Sequence, residues 1–209
     1  IAEHLSKAYN KPLFTDVSLH IRKGERVFLL GPNGCGKTTM FKIMAGLIND
    51  YSGSVTIDGQ KPGLYTKSIL SFLPEKTYLS DWMKARDAID MFSDFYADFD
   101  KEKALDMLKS FHLEPGMRLK SMSKGMQEKL QLILVMSRKS KLYILDEPLS
   151  GIDPAARDSI LDIILKNYSE DATVMLSTHL IYDVERIFDD IVLMGYGRLI
   201  EADSADAIR

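Results

Sequence analysis

The apolar run Val27-Phe28-Leu29-Leu30 passes directly into the glycine-rich segment Gly31-Pro32-Asn33-Gly34-Cys35-Gly36-Lys37-Thr38-Thr39, and a helical pattern follows from Lys37 to about Leu47. Few folds can use that succession. A strand that is apolar on both sides has to be covered on both faces, as in a parallel sheet flanked by helices. The glycines free the backbone to turn its N–H groups inward, where side chains would obstruct them.

The rest of the chain agrees with an α/β core. Val17 to Ile21 alternates apolar and polar residues, and Val55 to Ile57 reads as a short strand ending at the turn Asp58-Gly59. From about Asp81 to Lys139 the pattern is helical: Asp100 is a good N-cap for a segment with Ala104, Leu105, Leu108 and Phe111 on one face. Leu130 to Met136 is apolar on most sides and reads as a buried helix. Trp82, Tyr78 and Met83 are candidates for the core of this helical stretch, and Met91, Phe92 and Phe95 for packing between its helices. Leu142 to Leu145 and Thr173 to Ser177 are again buried strands. Asp153 and Pro154 open a helix between them, and Ile191–Met194 with Arg198–Ile200 form a hairpin around Gly195-Tyr196-Gly197. We expect a single domain over 1–209, in which a core of 1–75 and 140–209 carries a helical insert of 76–139.

The glycine-rich segment matches G-x-x-x-x-G-K-[ST] in the strand–turn–helix context that this phosphate loop requires. Its chemistry is anion binding: backbone N–H groups and a helix amino terminus wrap a phosphate. Lys37 adds a point charge for the β- and γ-phosphates, the Thr38 hydroxyl suits Mg²⁺, and Thr39 is placed for the α-phosphate. Cys35 occupies a variable position as a small filler.

Leu142-Tyr143-Ile144-Leu145 ends in Asp146-Glu147-Pro148. A buried strand delivers its last residue to the carboxyl edge of the sheet, where ligands of such folds sit. Asp146 can there hold Mg²⁺, and Glu147 can orient or deprotonate a water. Neighbours on a strand face opposite ways, so both acids can serve one site only if the strand stops at Asp146. Two carboxylates about 4 Å apart repel by about 4 kcal/mol at an effective dielectric near 20, which a bound cation relieves.

Further marks resemble the ATP-binding cassette family along essentially the whole chain. Ser123-Lys124-Gly125-Met126-Gln127, after Met122, is similar to its LSGGQ signature, with Ser123 and Gly125 at matching positions and Lys124 and Met126 departing from it. Leu149-Ser150-Gly151-Ile152-Asp153 resembles the D-loop, Ser177-Thr178-His179 the switch whose histidine contacts the γ-phosphate, and Tyr9 stands where the family stacks an aromatic ring on adenine. Glu75, in Phe72-Leu73-Pro74-Glu75, stands where the family has its Q-loop glutamine, as in cassettes that pair with separate exporter-type membrane subunits.

The resemblance implies a phosphate-loop NTPase fold: a mixed, largely parallel sheet, an amino-terminal antiparallel β subdomain and a helical insert. It implies ATP and Mg²⁺ as ligands, the metal held by Thr38, Asp146 and Glu75, with Glu147, His179 and Lys37 as catalytic residues. Nucleotide contacts are expected from Tyr9, from Gly31 through Thr39, and from Ser123 and Gly125 of a second cassette packed head to tail. The implied partner is an integral membrane subunit on whose cytoplasmic side the chain rides, the region after Glu75 lying beside it. The rival expectations are a soluble cassette acting on ribosomes or DNA, and a small-molecule kinase that would leave Ser123, Gly125 and His179 without roles.

Composition narrows the choice. Lys+Arg 27 against Asp+Glu 30 leaves a formal charge of -3 and no electrostatic case for nucleic acid. No apolar run approaches the roughly 20 residues needed to cross a bilayer. The amino terminus does not read as a signal peptide, and the single cysteine excludes an internal disulfide, in keeping with a reducing cytosol.

Overall fold

The computed structural model describes residues 1–150, 152–169, 171–178 and 190–204. Its centre is a six-stranded sheet made of β3 (Arg26–Leu30), β5 (Leu70–Leu73), β6 (Leu142–Asp146), β7 (Thr173–Thr178), β8 (Asp190–Gly195) and β9 (Arg198–Ser204). The strand order is β5-β6-β7-β3-β8-β9, and every pairing is parallel except the β8–β9 hairpin. A separate antiparallel sheet, in the order β2-β1-β4, is built from β1 (Ala2–Ala8), β2 (Pro12–Leu19) and β4 (Ser52–Val55).

Alternation along the central strands divides the interior in two. Val27 and Leu29 of β3 join Ile144 and Met175 in a core shared with Phe41 and Met40 of α1 (Lys37–Met44) and with Leu5, Phe14 and Val17 of the small sheet. Phe28 and Leu30 turn the other way, with Tyr143, Leu145, Val174 and Leu176, into a core roofed by helices. Each central strand is therefore greasy on both faces, which is what lets a parallel sheet lie buried. Between β4 and β5 the chain makes the short helix α2 (Leu64–Ile69).

The roof comprises α3 (Ala85–Phe95), α4 (Lys101–Ser110), α5 (Lys124–Met136) and α6 (Pro154–Asn167), with a single 3-10 turn at Leu119–Ser121. Asp100 caps α4 by accepting the Lys103 N–H at 3.0 Å, as its sequence position predicts. The whole run Leu130–Met136 is buried, Gln131 included. Two long cations lock this layer together. Lys103 reaches from α4 to donate to the Met136 carbonyl at 2.7 Å and the Asn167 carbonyl at 2.5 Å, closing the carboxyl ends of α5 and α6 at once. Arg138, 3% exposed, donates to both oxygens of Asp98 at 3.1 and 3.2 Å and to the carbonyls of Leu70 at 2.6 Å and Ser68 at 2.7 Å, with Tyr96 stacked 3.9 Å from the guanidinium.

Several local expectations shift. The strand expected at Val55–Ile57 lies at Ser52–Val55, and Ile57 forms only an isolated bridge to Gln60 across the Asp58-Gly59 turn. Of the apolar residues assigned to helical packing, Met83, Phe92 and Ala104 are buried, but Trp82 is 73% and Phe95 78% exposed. Trp82 precedes the α3 amino terminus and Phe95 is the last residue of that helix, so each lies where the covering layer ends. Tyr78 is partly exposed, with its ring stacked against Phe92 at 6.3 Å between centroids.

Candidate functional site

The phosphate-type loop is the link from β3 to α1, and two of its glycines are fixed by what surrounds them. A Cβ on Gly31 would stand 2.4 Å from the Met194 carbonyl oxygen on the neighbouring strand. Gly36 has φ 109°, and a Cβ there would meet Phe14 Cδ1 at 2.7 Å. The backbone therefore lies against β8 on one side and the small sheet on the other. Pro32, Asn33 and Gly34 face outward, while Cys35 turns inward as a buried free thiol that fills the space beside Gly31.

Lys37 opens α1 and is only 6% exposed, an unusual burial for an ammonium group. Its Nζ donates back to the carbonyls of Gly31 at 2.7 Å and Pro32 at 3.3 Å, and it lies 3.7 Å from Oε1 of Glu147. Thr38 and Thr39 follow, half-buried, on the first turn of the helix.

The acids arrive from β6. The strand ends at Asp146, which pairs in register with Ser177 of β7. The next residue, Glu147, has φ 51°, a left-handed conformation that swings its side chain out of the strand alternation and towards Lys37. The condition for both acids to serve one place is met by this single turn of the backbone. Instead of the repulsion that their adjacency suggests, Glu147 has the Lys37 ammonium as a counter-charge.

Asp146 is 1% exposed. Burial pushes its carboxyl above the usual carboxylate range; hydroxyls of Ser177 and Thr38 beside it pull the other way, and the negative charge of Glu75 pushes it up again. Its Oδ1 accepts the Ser177 hydroxyl at 2.7 Å, whereas the buried Oδ2 has no hydrogen-bond partner among the described residues. An orphaned carboxylate oxygen next to a threonine hydroxyl is a place where a hard cation fits. No cluster of three or more His, Cys, Asp or Glu side chains gathers among the described residues. A cation here would thus need oxygen ligands from elsewhere, as Mg²⁺ commonly takes them from waters and substrate phosphates.

Lys37, Thr38, Asp146, Glu147 and, through its charge, Glu75 thus share one neighbourhood at the carboxyl edge of the sheet. The other expected residues do not join it. Tyr9 is 63% exposed at the turn after β1, with the buried Lys7 ammonium 4.7 Å from the centre of its ring. Ser123 caps α5, accepting the Met126 N–H at 3.3 Å, and Gly125 lies on the same first turn; that helix packs against β5, α4 and α3. A site for them on a neighbouring molecule is compatible with their outward position. His179 and Gly151 lie outside the described residues. Ser177 entered the sequence reading only as part of the switch segment, with no role for its own hydroxyl. The available sign was a pair of hydroxyl residues, Ser177 and Thr178, closing a strand whose middle is buried and apolar. A cavity of about 620 Å³ at the opposite edge of the sheet, lined by Leu142, Thr173 and Met44, contains none of these side chains.

Comparison with known proteins gives one answer. The family description "ABC transporter" matches residues 14–150. The chain is 33% identical over 204 residues to the ABC transporter ATP-binding protein YxlF of Bacillus subtilis, covering 94% of this chain and 68% of that one. A Methanocaldococcus jannaschii ABC transporter ATP-binding protein is 32% identical, with 95% of this chain and 74% of the relative covered. Among solved structures, an ATP-binding subunit of an ABC transporter superposes with TM-score 0.88 at 28% identity, over 100% of this chain and 90% of that one. The cassette MJ0796 bound to ADP and Pi shares the fold, with TM-score 0.85 at 22% identity over 98% of this chain and 97% of that one. With its mixed central sheet, its small antiparallel sheet and its phosphate-type loop facing two acids, the chain belongs to the ABC transporter family, as one of its ATP-binding cassettes.

Proposed function

We propose that this cassette binds ATP between the Gly31–Thr39 loop and the Asp146–Glu147 pair, hydrolyses it, and drives a separate membrane subunit by opening and closing against a second cassette. The observation that carries this reading is the meeting of a nearly buried ammonium with a carboxylate at 3.7 Å, next to a second, buried carboxylate whose Oδ2 is unpaired. An apolar interior does not retain such charges without use.

In this reading Lys37 leaves the carbonyls of Gly31 and Pro32 for the β- and γ-phosphates, while the loop N–H groups and the α1 amino terminus hold the rest of the chain of phosphates. Thr39 lies by the α-phosphate and Tyr9 stacks on the adenine. Thr38, Asp146 and Glu75 are the residues that would hold Mg²⁺, which when bound neutralises charge on the phosphate oxygens. Loss of Lys37 to the phosphates frees Glu147 to orient the attacking water and accept its proton. His179 contributes at the γ-phosphate. Ser123 and Gly125 offer a capped helix amino terminus to the triphosphate of the partner cassette, so that binding closes the pair and hydrolysis releases it. No helix among the described residues is long and apolar enough to cross a membrane, so the membrane-spanning part is assigned to the partner subunit, with the cassette on its cytoplasmic face.

Two substitutions test the assignment. Lys37→Ala is expected to weaken ATP binding at least tenfold, because the buried counter-charge is lost. Glu147→Gln is expected to bind ATP normally, to hydrolyse it about 10²- to 10⁴-fold more slowly, and to accumulate an ATP-held dimer on gel filtration. Parental affinity and turnover in Lys37→Ala would overturn the reading.

A further inference from the structure

Among the described residues, every side-chain hydrogen bond of Ser177 goes to the two acids. This residue is wholly buried on β7, opposite Asp146. Its Oγ lies 2.7 Å from Asp146 Oδ1 and 3.1 Å from the backbone N of Glu147, and its carbonyl oxygen lies 3.1 Å from that same N. The polarity of these bonds is forced. An ionised carboxylate can only accept and an amide N–H can only donate, so the single hydroxyl proton goes to Asp146 and a lone pair receives Glu147 N–H.

One hydroxyl therefore fixes two unlike quantities. It holds Oδ1 of Asp146 in place, which leaves Oδ2 as the oxygen directed to a ligand. It also anchors the peptide at which Glu147 departs from the strand with φ 51°, a conformation that a residue with a Cβ keeps only when its surroundings hold it there. We propose that Ser177 is a positioning residue of the ATPase: through its hydroxyl it sets the metal-facing oxygen of Asp146 and the exit angle of Glu147 together, so that the cation site and the water-activating carboxylate are tuned as one unit. This rests on the reading that Asp146 and Glu147 serve the triphosphate site.

The test compares Ser177→Ala with the pair Ser177→Thr and Ser177→Val in the full chain. Threonine and valine are nearly equal in volume, so whatever the added methyls disturb is common to both, and their difference reports the hydroxyl alone. Binding of a fluorescent ATP analogue is measured in EDTA and across a MgCl₂ titration, beside steady-state ATPase rates. We expect Ser177→Ala and Ser177→Val to bind the analogue as the parent does in EDTA, to need at least about tenfold more Mg²⁺ for the metal-dependent gain in affinity, and to lose about 10- to 100-fold in kcat. Ser177→Thr should recover most of both. Thr and Val variants that behave alike, or an Ala variant with parental Mg²⁺ dependence and kcat, would overturn the proposal. A merely structural serine would lower Tm in all three without moving the Mg²⁺ midpoint. Lys37→Ala separates the two levels: if it too leaves binding untouched, the site itself is misassigned, whereas loss there with a parental Ser177→Ala removes only the role of Ser177.

Discussion

Replacing Arg138 by methionine removes the guanidinium while keeping most of the stem volume. Arg138 is 3% exposed, and its partner Asp98 keeps some contact with water at 26% side-chain exposure. Breaking a buried ion pair from one side costs about 3–5 kcal/mol. Water at Asp98 moves the cost towards the lower figure, and the buried Leu70 carbonyl, left without its 2.6 Å donor, moves it back. The Ser68 carbonyl belongs to an exposed residue and adds little. An overall loss of about 3–5 kcal/mol corresponds to a fall in Tm of roughly 6–20 °C for a chain of this size. Thermal and urea unfolding followed by far-UV circular dichroism are suited to the measurement, because the single tryptophan, Trp82, is too exposed to report on the core. Asp98→Asn and the double variant complete a cycle, for which the contact predicts a coupling energy of about 1–3 kcal/mol. A Tm within about 2 °C of the parent in Arg138→Met, or strict additivity in the cycle, would refute the idea that this cluster ties the helical roof to the sheet.

Gly36→Ala is expected to destabilise more than Gly34→Ala by about 1–3 kcal/mol in urea unfolding. Both have positive φ, but only at Gly36 does a Cβ strike Phe14, at 2.7 Å, while nothing lies within 4 Å at Gly34; equal losses would contradict the contact. His4 Nδ1 lies 2.7 Å from Asp16 Oδ1, and that hydrogen bond, with the charge of Asp16, raises the imidazole above its ordinary 6.5. A raised folded-state value means that the pair's contribution to stability is fully present below pH 6.5 and is lost as pH rises through the folded value. In Asp16→Asn the His4 ring protons should titrate closer to 6.5 by NMR, and an unaltered titration would dismiss the pair.

The loop and the acids could be read from letters because their chemistry is local. Gly31, Gly36 and Lys37 are demanded by a backbone path that nine consecutive residues describe, and Asp146 and Glu147 announce themselves by ending an apolar strand. The same holds for Asp100 as a helix cap. Ser177 was legible only as part of the switch segment, and its bond to Asp146 was silent because that comes from a strand register joining residues 31 positions apart. Arg138 was silent for the same reason, with partners 40, 68 and 70 positions distant. Trp82 and Phe95 misled in the opposite sense. Hydrophobicity states what a side chain gains from cover, not whether a neighbour provides it, and an exposed aromatic carries the same letter as a buried one. Tyr9, Ser123 and Gly125 have no counterpart in the local packing; their roles come from the resemblance and belong to the proposed reading, in which a nucleotide and a second cassette supply the contacts.

The double clasp of Lys103 has a mechanical corollary. It grips α5 by its final carbonyl, at Met136, and Arg138 anchors the chain just beyond, whereas near the other end the side-chain tie is the Gln127 amide donating to the Leu119 carbonyl at 2.9 Å. Its 13 residues make a rod of about 20 Å, with the exposed Ser123 at its tip. A rotation of about 5° around the gripped end carries that tip roughly 1.7 Å, more than half a hydrogen-bond length, while the far end scarcely stirs. On the proposed reading, a tilt of that size would decide whether Ser123 meets the triphosphate of the partner cassette, with the two cations marking the end of the helix about which it turns.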